Sequence, residues 1–406
     1  MSFALGVAAF VIALVLSVAW HECGHMWAAQ ALGMKVRRYF IGFGPTLWST
    51  RRGETEYGFK AIPAGGFCDI AGMTPYDELE PDEESRAMYK QKPWKRLVVM
   101  IAGPVQNFIL GFLLIVVLAV GWGLPDLNPK PTPAVVASTF CVAPQLNEKG
   151  ENVGACAGGG PAAEAGLRAG DRIVSANGTP VSTASDLSPI LGKATGPVAL
   201  GVERGGAHLT ITVTPTPVTV TGPGPNGTTT TAHRNMVGLK YPTPPGPVKY
   251  NVLSAIPASF AFAGDMFSAT WDALLSLPTK ISALWTAVTG GERSPDTPIS
   301  MWGASVIGGD AVEHGVWELF LLLLISINFF LGMFNLVPLL PLDGGHMAVV
   351  VYEKARDTLR RWRGKAAGGP VDYMKLMPVT YAVVAVMAVF MVLTLTADII
   401  NPIKIF

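Results

Sequence analysis

Charge is scarce in this sequence. Asp, Glu, Lys and Arg make up 15% of 406 residues, against roughly a quarter in ordinary globular chains, which argues against a chain built of soluble domains alone. Neither sign dominates: 30 Lys and Arg stand against 29 Asp and Glu, net +1, so no basic excess points to nucleic acid as a partner. Cysteine is nearly missing, and 4 residues cannot staple a chain of this length as a disulfide scaffold. Internal repeats are missing too, which speaks against a transporter built from inverted halves. What the chain does have is apolar residues, 50% of the total, together with 45 Gly and 32 Pro. The first implies a membrane protein, and the second excludes a plain helical bundle from end to end.

A spanning helix needs about 20 mostly apolar residues to cross roughly 30 Å of hydrocarbon. Four uncharged stretches qualify: 1–20, 97–125, 319–342 and 376–396. A fifth, 205–233, contains ten Thr with Pro and Gly, cannot satisfy its backbone as a continuous helix in lipid, and reads as a strand followed by linker. The opening run lacks a basic residue before it and a clean small-residue cleavage site after it, so it reads as a retained helix rather than a signal peptide. Lys and Arg number eleven in 34–96 and seven in 343–375, while the eleven of 126–318 are spread over about three times the length of the first loop. By the positive-inside rule the two dense loops face the cytoplasm, with the central region and both termini outside.

The expected order is then a first span with its polar end (1–33), a cytoplasmic loop (34–96), a second span (97–125), a small β-rich domain (126–216), and a Pro/Thr/Gly-rich linker (217–249). Amphipathic surface helices (250–318) follow, then a third span (319–342), a second cytoplasmic loop (343–375), a fourth span (376–396) and a tail (397–406). Leu209–Val213 alternates apolar residues with Thr, the pattern of a half-buried strand. Residues 250–290 mix apolar side chains with Trp271, Trp285, Asp265, Asp272 and Lys280, which suits amphipathic helices lying on the membrane rather than crossing it, with a soluble core helix pair as the alternative.

The chemistry sits after the first apolar run, in His21-Glu22-Cys23-Gly24-His25. Residues i and i+4 share a helix face, so both imidazoles can converge on one ion, and Glu22 is placed to take a proton from water there. With these residue frequencies a chance H-E-x-x-H is expected about 0.003 times per chain, and ionisable side chains at membrane depth cost at least ~2.5–3.5 kcal/mol each. Catalytic zinc takes three protein ligands. Asp343, in Leu342-Asp343-Gly344-Gly345-His346, is the leading third ligand, with His346 and Glu353 as competitors. Asn328 and Asn335 lie on one helix face and serve either helix packing or an extended substrate backbone; the second role is favoured for Asn335. Pro338 and Pro341 break the helix before Asp343. Gly103-Pro104-Val105-Gln106-Asn107 kinks the second span for tight packing. Cys141 and Cys156, both outside, are either paired or free; Cys23, at an x position of the motif, reads as packing, and Cys68 has no visible partner.

Three motifs together, H-E-C-G-H in the first span, A-G-P-V-Q-N in the second and N-L-V-P-L-L-P-L-D-G-G in the third, resemble the site-2 protease family of intramembrane zinc metalloproteases, of the bacterial kind with a PDZ domain. The resemblance implies His21, His25 and Asp343 as zinc ligands, Glu22 as catalytic base and Asn335 as a substrate-positioning residue. Residues 56–67, ending in Gly65-Gly66-Phe67, look like the family's membrane-reentrant β-hairpin, whose edge would pair with an extended substrate. Residues 161–173 resemble the PDZ signature, present once rather than in tandem, as in actinobacterial members. The fold class expected is a polytopic α-helical membrane protein with four transmembrane helices, a membrane-associated β-hairpin and an extracytoplasmic β-rich PDZ-like domain. The resemblance implies Zn2+ as cofactor and a plasma (inner) membrane location with the active site near the cytoplasmic side. Its partners would be the lipid bilayer and transmembrane protein substrates already trimmed outside, typically anti-sigma factors. The alternative is a PDZ-containing membrane scaffold whose metal site is inert.

Overall fold

In a computed structural model of the chain, all residues are described except 1, 148–151, 224–228, 244, 292, 295, 404 and 406. Two units emerge, Met1–Leu127 with Pro247–Phe406, and Asn128–Gly246.

The first unit begins with α1 (Ser2–Ala31), apolar for twenty residues before the histidine motif. Next come two long antiparallel strands, β1 (Val36–Arg52) and β2 (Thr55–Ile70). Each pairs twice. Residues 36–41 bond to 66–70 on one side and to 56–59 on the other, while 46–52 pair with 55–60. The hairpin is thus a small sheet in the spatial order 46–52, 55–60, 36–41, 66–70. Folding back is possible because Gly42 and Gly44 take positive φ, a conformation that costs glycine nothing. Residues 66–70 have a strand partner on one side only and run beside α1. Residues 56–67, expected to form a hairpin by themselves, are instead most of one strand, β2, of a hairpin whose other strand begins at Val36.

After the hairpin, an acid-rich loop is clamped to β1. Arg37 Nε donates to Glu83 Oε1 at 2.9 Å, Lys35 Nζ lies 2.9 Å from Asp82 and 3.1 Å from Glu83, and Arg37 Nη1 lies 3.1 Å from Asp77. The Arg37 guanidinium holds the Glu83 carboxyl at about 2, well below the usual range. Chain reversal ends at α2 (Pro93–Gly121), which starts with Pro at its first position, where the missing N–H costs nothing.

The second unit contains β3 (Ser138–Thr139), β4 (Gln145–Leu146), α3 (Gly160–Glu164), β5 (Arg172–Ala176), β6 (Thr179–Pro180), α4 (Ala184–Lys193), β7 (Val198–Arg204), β8 (Ala207–Val213), β9 (Thr216–Pro223), β10 (Thr229–Met236) and β11 (Leu239–Lys240). Its main sheet runs β6-β5-β7-β8, all antiparallel. Alternate residues of β7, Val198, Leu200 and Val202, point into a core with Ile173, Leu187 and Val213. A reciprocal cap starts α4: Thr183 accepts from the Asp186 N–H while Asp186 accepts from the Thr183 N–H. Asp171, 1% exposed, is gripped by Arg204 at 2.6 and 2.7 Å and accepts from the Arg168 N–H, which holds its carboxyl below the ordinary value.

Residues 217–249, expected to be linker, contain a hairpin instead. β9 and β10 pair antiparallel from Thr216–Met236 to Pro223–Thr229, and β4 joins β9 in parallel. The Thr and Val residues that rule out a lipid helix are β-branched and favour strand. The part of that stretch at 224–228 lies outside the described residues. Cys141 and Cys156 are disulfide-bonded.

The chain returns to the first unit with α5 (Val252–Val288), α6 (Met301–Glu313), α7 (Trp317–Asn335), α8 (Asp343–Trp362) and α9 (Met377–Ile400). Five described helices, α1, α2, α5, α7 and α9, are long and apolar enough to cross a membrane. Four correspond to the expected spans. The fifth, α5, is a single 37-residue helix where separate surface helices were expected. Its three charges and Pro257 and Pro278 interrupt the hydropathy run, but Asn251 and Ser254 cap it reciprocally, and its turns stay continuous. α6 packs on α1 through small residues: a Cβ at Gly308 would strike Phe10, and one at Gly309 would strike Val7.

Candidate metal centre

The third expected span, 319–342, is not one helix. α7 stops at Asn335, residues 336–342 are irregular, and Asp343 opens α8. Pro338 and Pro341 lack the N–H groups a continuing helix needs. Gly344 and Gly345 let the new helix turn back tightly, since a Cβ on either would collide with the backbone of 336–340. Asp343 consequently lies in the first turn of a helix, where the axial dipole favours its negative charge.

This turn delivers Asp343 to the histidine motif. Asp343 Oδ2 lies 3.3 Å from both His21 Nε2 and His25 Nε2, and the two Nε2 atoms are 3.2 Å apart. Both histidines are 5% exposed. His25 Nδ1 donates to the Val99 carbonyl at 2.8 Å; a carbonyl only accepts, so the Nε2 lone pair points inward. His21 Nδ1 is 3.0 Å from the Asn107 amide, whose Oδ1 is buried without a partner. With the amide turned so that Oδ1 takes the Nδ1–H, that orphan is satisfied and the His21 Nε2 lone pair also points inward.

Three acceptors then face one another with no proton between them, and Asp343 Oδ2 is itself buried without a hydrogen bond. Such a set repels itself unless a cation sits among it. Two imidazole nitrogens and one carboxylate oxygen are the donors zinc accepts, leaving a fourth position open. Room for the group exists because α2 carries Gly103 opposite the rings; a Cβ there would strike His25 Nε2 and His21 Nε2. Gly24 brings α1 equally close to α2 at Ala102. Among the described residues this trio is the one His/Cys/Asp/Glu group whose ligand atoms converge.

The competing ligands are engaged elsewhere. His346 Nδ1 lies 3.3 Å from the Tyr373 hydroxyl and its ring stacks on that phenol. Glu353 receives Arg96 Nη1 at 2.6 Å and the Val371 N–H at 2.7 Å, a buried and fully bonded pair. Asn328, fully buried, donates to Ser17 Oγ at 3.1 Å and to the Leu324 carbonyl, so it ties α7 to α1. Asn335 is half-buried at the last position of α7 and makes no side-chain hydrogen bond among the described residues.

Glu22 is half-buried on the turn between the histidines. A Cβ on Gly66 would come 3.3 Å from Glu22 Cγ, so the bare strand 66–70 passes directly over the carboxylate, with the Cys68 amide facing it. Gly65 has φ +127. Phe67 stacks on Phe40 and Phe43, and Lys60 Nζ sits 5.2 Å over the Phe40 ring. Cys23 is packed in the cluster with Met26 and Val99, its Sγ 3.2 Å from the Tyr39 hydroxyl.

Sequence reasoning missed Asn107, Gly103 and the Val99 carbonyl. A-G-P-V-Q-N contains Gly103 and Asn107 but not Val99, and its meaning as a rear wall for the imidazoles needs the helix crossing.

An H-E-x-x-H helix and a carboxylate from a second helix, placed among helices able to cross lipid, describe a membrane-embedded metallopeptidase. Known proteins agree: the model of Peptidase family M50 matches residues 9–379, and the chain belongs to that family. It is similar to the zinc metalloprotease Rip1 of Mycobacterium bovis, 50% identical over the full length of both chains, and to Rip1 of Mycolicibacterium smegmatis at the same identity and coverage. The metalloprotease MmpA of Caulobacter vibrioides is 28% identical over 88% of each chain. The chain is thus a zinc metalloprotease and a multi-pass membrane protein, and the inert-scaffold alternative falls away.

Proposed function

We propose that this metalloprotease hydrolyses peptide bonds within transmembrane segments of single-span proteins already trimmed outside the membrane, such as anti-sigma factors, in regulated intramembrane proteolysis. The observation that carries the reading is the buried, unpartnered Oδ2 of Asp343 facing two inward-pointing Nε2 atoms at 3.3 Å. His21, His25 and Asp343 hold the zinc. When bound, zinc supplies Lewis acidity, activating water and polarising the scissile carbonyl. Glu22, beside the trio, takes a proton from water and returns it to the departing amine.

A membrane helix hides its peptide bonds in internal hydrogen bonds, so the substrate must be unwound to be cut. The strand 66–70, with its free edge at Glu22, gives the unwound segment a backbone to pair with. Gly65, Gly66 and Phe67 line that edge, and the unengaged Asn335 amide holds the substrate backbone from the α7 side. Exposed Phe43, Leu47, Trp48, Phe59 and Ile62 suit a hairpin that dips into lipid. The unit Asn128–Gly246 acts as a PDZ-like module outside the membrane, where it filters substrates by size or binds their ends. Its disulfide belongs to an oxidising compartment, consistent with dense Lys/Arg loops on the cytoplasmic side.

The test is cleavage of a tagged single-span substrate by purified enzyme, with zinc measured by elemental analysis. Glu22→Gln should keep its zinc and lose cleavage by a factor of about 100 or more. Full activity in that variant would remove Glu22 from the role.

A further inference from the structure

At the far end of α8 from the metal centre lies a feature that peptide hydrolysis leaves unused. A groove of about 520 Å3 runs between the start of α2 and one face of α8, walled by Pro93, Leu97, Val350, Val351, Leu359 and Trp362. Val351, Ala355, Leu359 and Trp362 follow one another at spacings of four, four and three, so they form one stripe. Protein does not cover that stripe: Val351 is 55% exposed and Trp362 82%. Leu97 in the groove wall adjoins Val98, Ile101, Val105 and Ile109, an exposed apolar row along α2, and a spanning helix turns such a row to acyl chains.

The rim is basic. Lys354 lines the groove itself, Lys92 precedes Pro93, and Arg360, Arg361, Arg363 and Lys365 crowd the end of α8. All six are exposed, and none makes an ion pair among the described residues. The acids in the middle of α8 are already taken, Glu353 by Arg96 and Asp357 by Arg356. An apolar slot with an exposed indole and unpaired cations along its rim is the recognition chemistry for an anionic headgroup with its chain. A bilayer brings both to the flank of a spanning α2, whereas a protein partner would need a matching acidic helix.

We infer that this groove binds an anionic phospholipid, with an acyl chain along the Val351–Trp362 stripe and the headgroup at Lys92 and Lys354. The inference rests on α2 crossing the bilayer and is independent of the catalytic assignments. It makes the last turns of α8 a lipid-held anchor for the helix whose first residue is Asp343.

Full-length, zinc-loaded protein is equilibrated with mixed phosphatidylglycerol and phosphatidylcholine, and the lipids it retains are measured by mass spectrometry. The wild type should retain phosphatidylglycerol several-fold above its share of the mixture. Each of the two cations is worth up to about fivefold of that preference, so Lys92→Gln/Lys354→Gln should retain the two lipids in proportion. Ala355→Trp fills the slot without touching charge and should release the lipid as well. Zinc content, unchanged in both variants, reports that they fold. Equal retention of the two lipids by the wild type overturns the proposal. So does a preference that survives Ala355→Trp, which would mean surface attraction without a groove, or competition by glycerol phosphate as strong as by the lipid, which would mean a phosphate site alone.

Discussion

The metal centre and the Asn128–Gly246 unit are held together by different forces. In the unit, Val198, Leu200, Val202, Ile173, Leu187 and Val213 bury fully against one another, and water outside supplies the drive. At the metal and along α1 the helices meet through absences: Gly24 and Gly103 beside the ligands, and Gly308 and Gly309 nearer the start of α1, sit where a Cβ would strike a neighbouring helix. Lipid is as apolar as leucine, so helices there associate through close backbone approach and buried polar contacts. Asn328 to Ser17, Asn107 to His21 and Arg96 to Glu353 are such contacts. One region should therefore tolerate lost volume badly, and the other should tolerate gained volume worse.

The sharpest way to break that contrast is Gly103→Ala. One methyl group aimed at both Nε2 atoms should reduce bound zinc and cleavage to background, by elemental analysis and substrate assay. Normal zinc in this variant would mean that the helices are looser than described. Next in size is Asn107→Leu, which fills similar space but leaves the His21 Nδ1 without a partner. Loss of a group that orients a metal ligand costs about 10–100-fold in affinity or activity, read as a raised zinc dissociation constant. In the other region, Leu200→Ala opens a cavity and should destabilise the unit by about 2–5 kcal/mol while zinc content stays constant; coupled loss of zinc would refute the separation. The mildest effect concerns acid. Because Arg204 holds the Asp171 carboxyl below its ordinary 3.8, the pair stabilises the unit above that pH and the contribution fades as pH falls below it. Asp171→Asn should flatten that acid limb in a pH series of unfolding, with the zinc site unaffected at neutral pH.

Reading the sequence recovers elements where the signal is local. Uncharged runs became α1, α2, α7 and α9, and the i, i+4 histidines needed only helix periodicity to converge. Two elements were misjudged for opposite reasons. α5 holds Asp265, Asp272 and Lys280 on exposed or partly exposed positions, so a hydropathy run understates a helix that caps and packs continuously. β9 and β10 look like linker because Pro, Gly and Thr dominate; they pair with each other as a hairpin, and β9 also takes a third strand, β4, from seventy residues earlier, beyond any local window.

The site divides along the same line. The order of residues determined the ligand types, the base beside them, the broken helix before Asp343 and the apolar lengths that demand lipid, because each depends on neighbours within a few turns. The order of residues favoured Asp343 as third ligand, but only tertiary structure brought it rather than Glu353 to the imidazoles, made Asn328 a packing residue and set Val99 and Asn107 to orient the rings. Those outcomes depend on which helices cross and how closely, and a crossing is settled by shape complementarity between distant segments, which no stretch of chain encodes by itself.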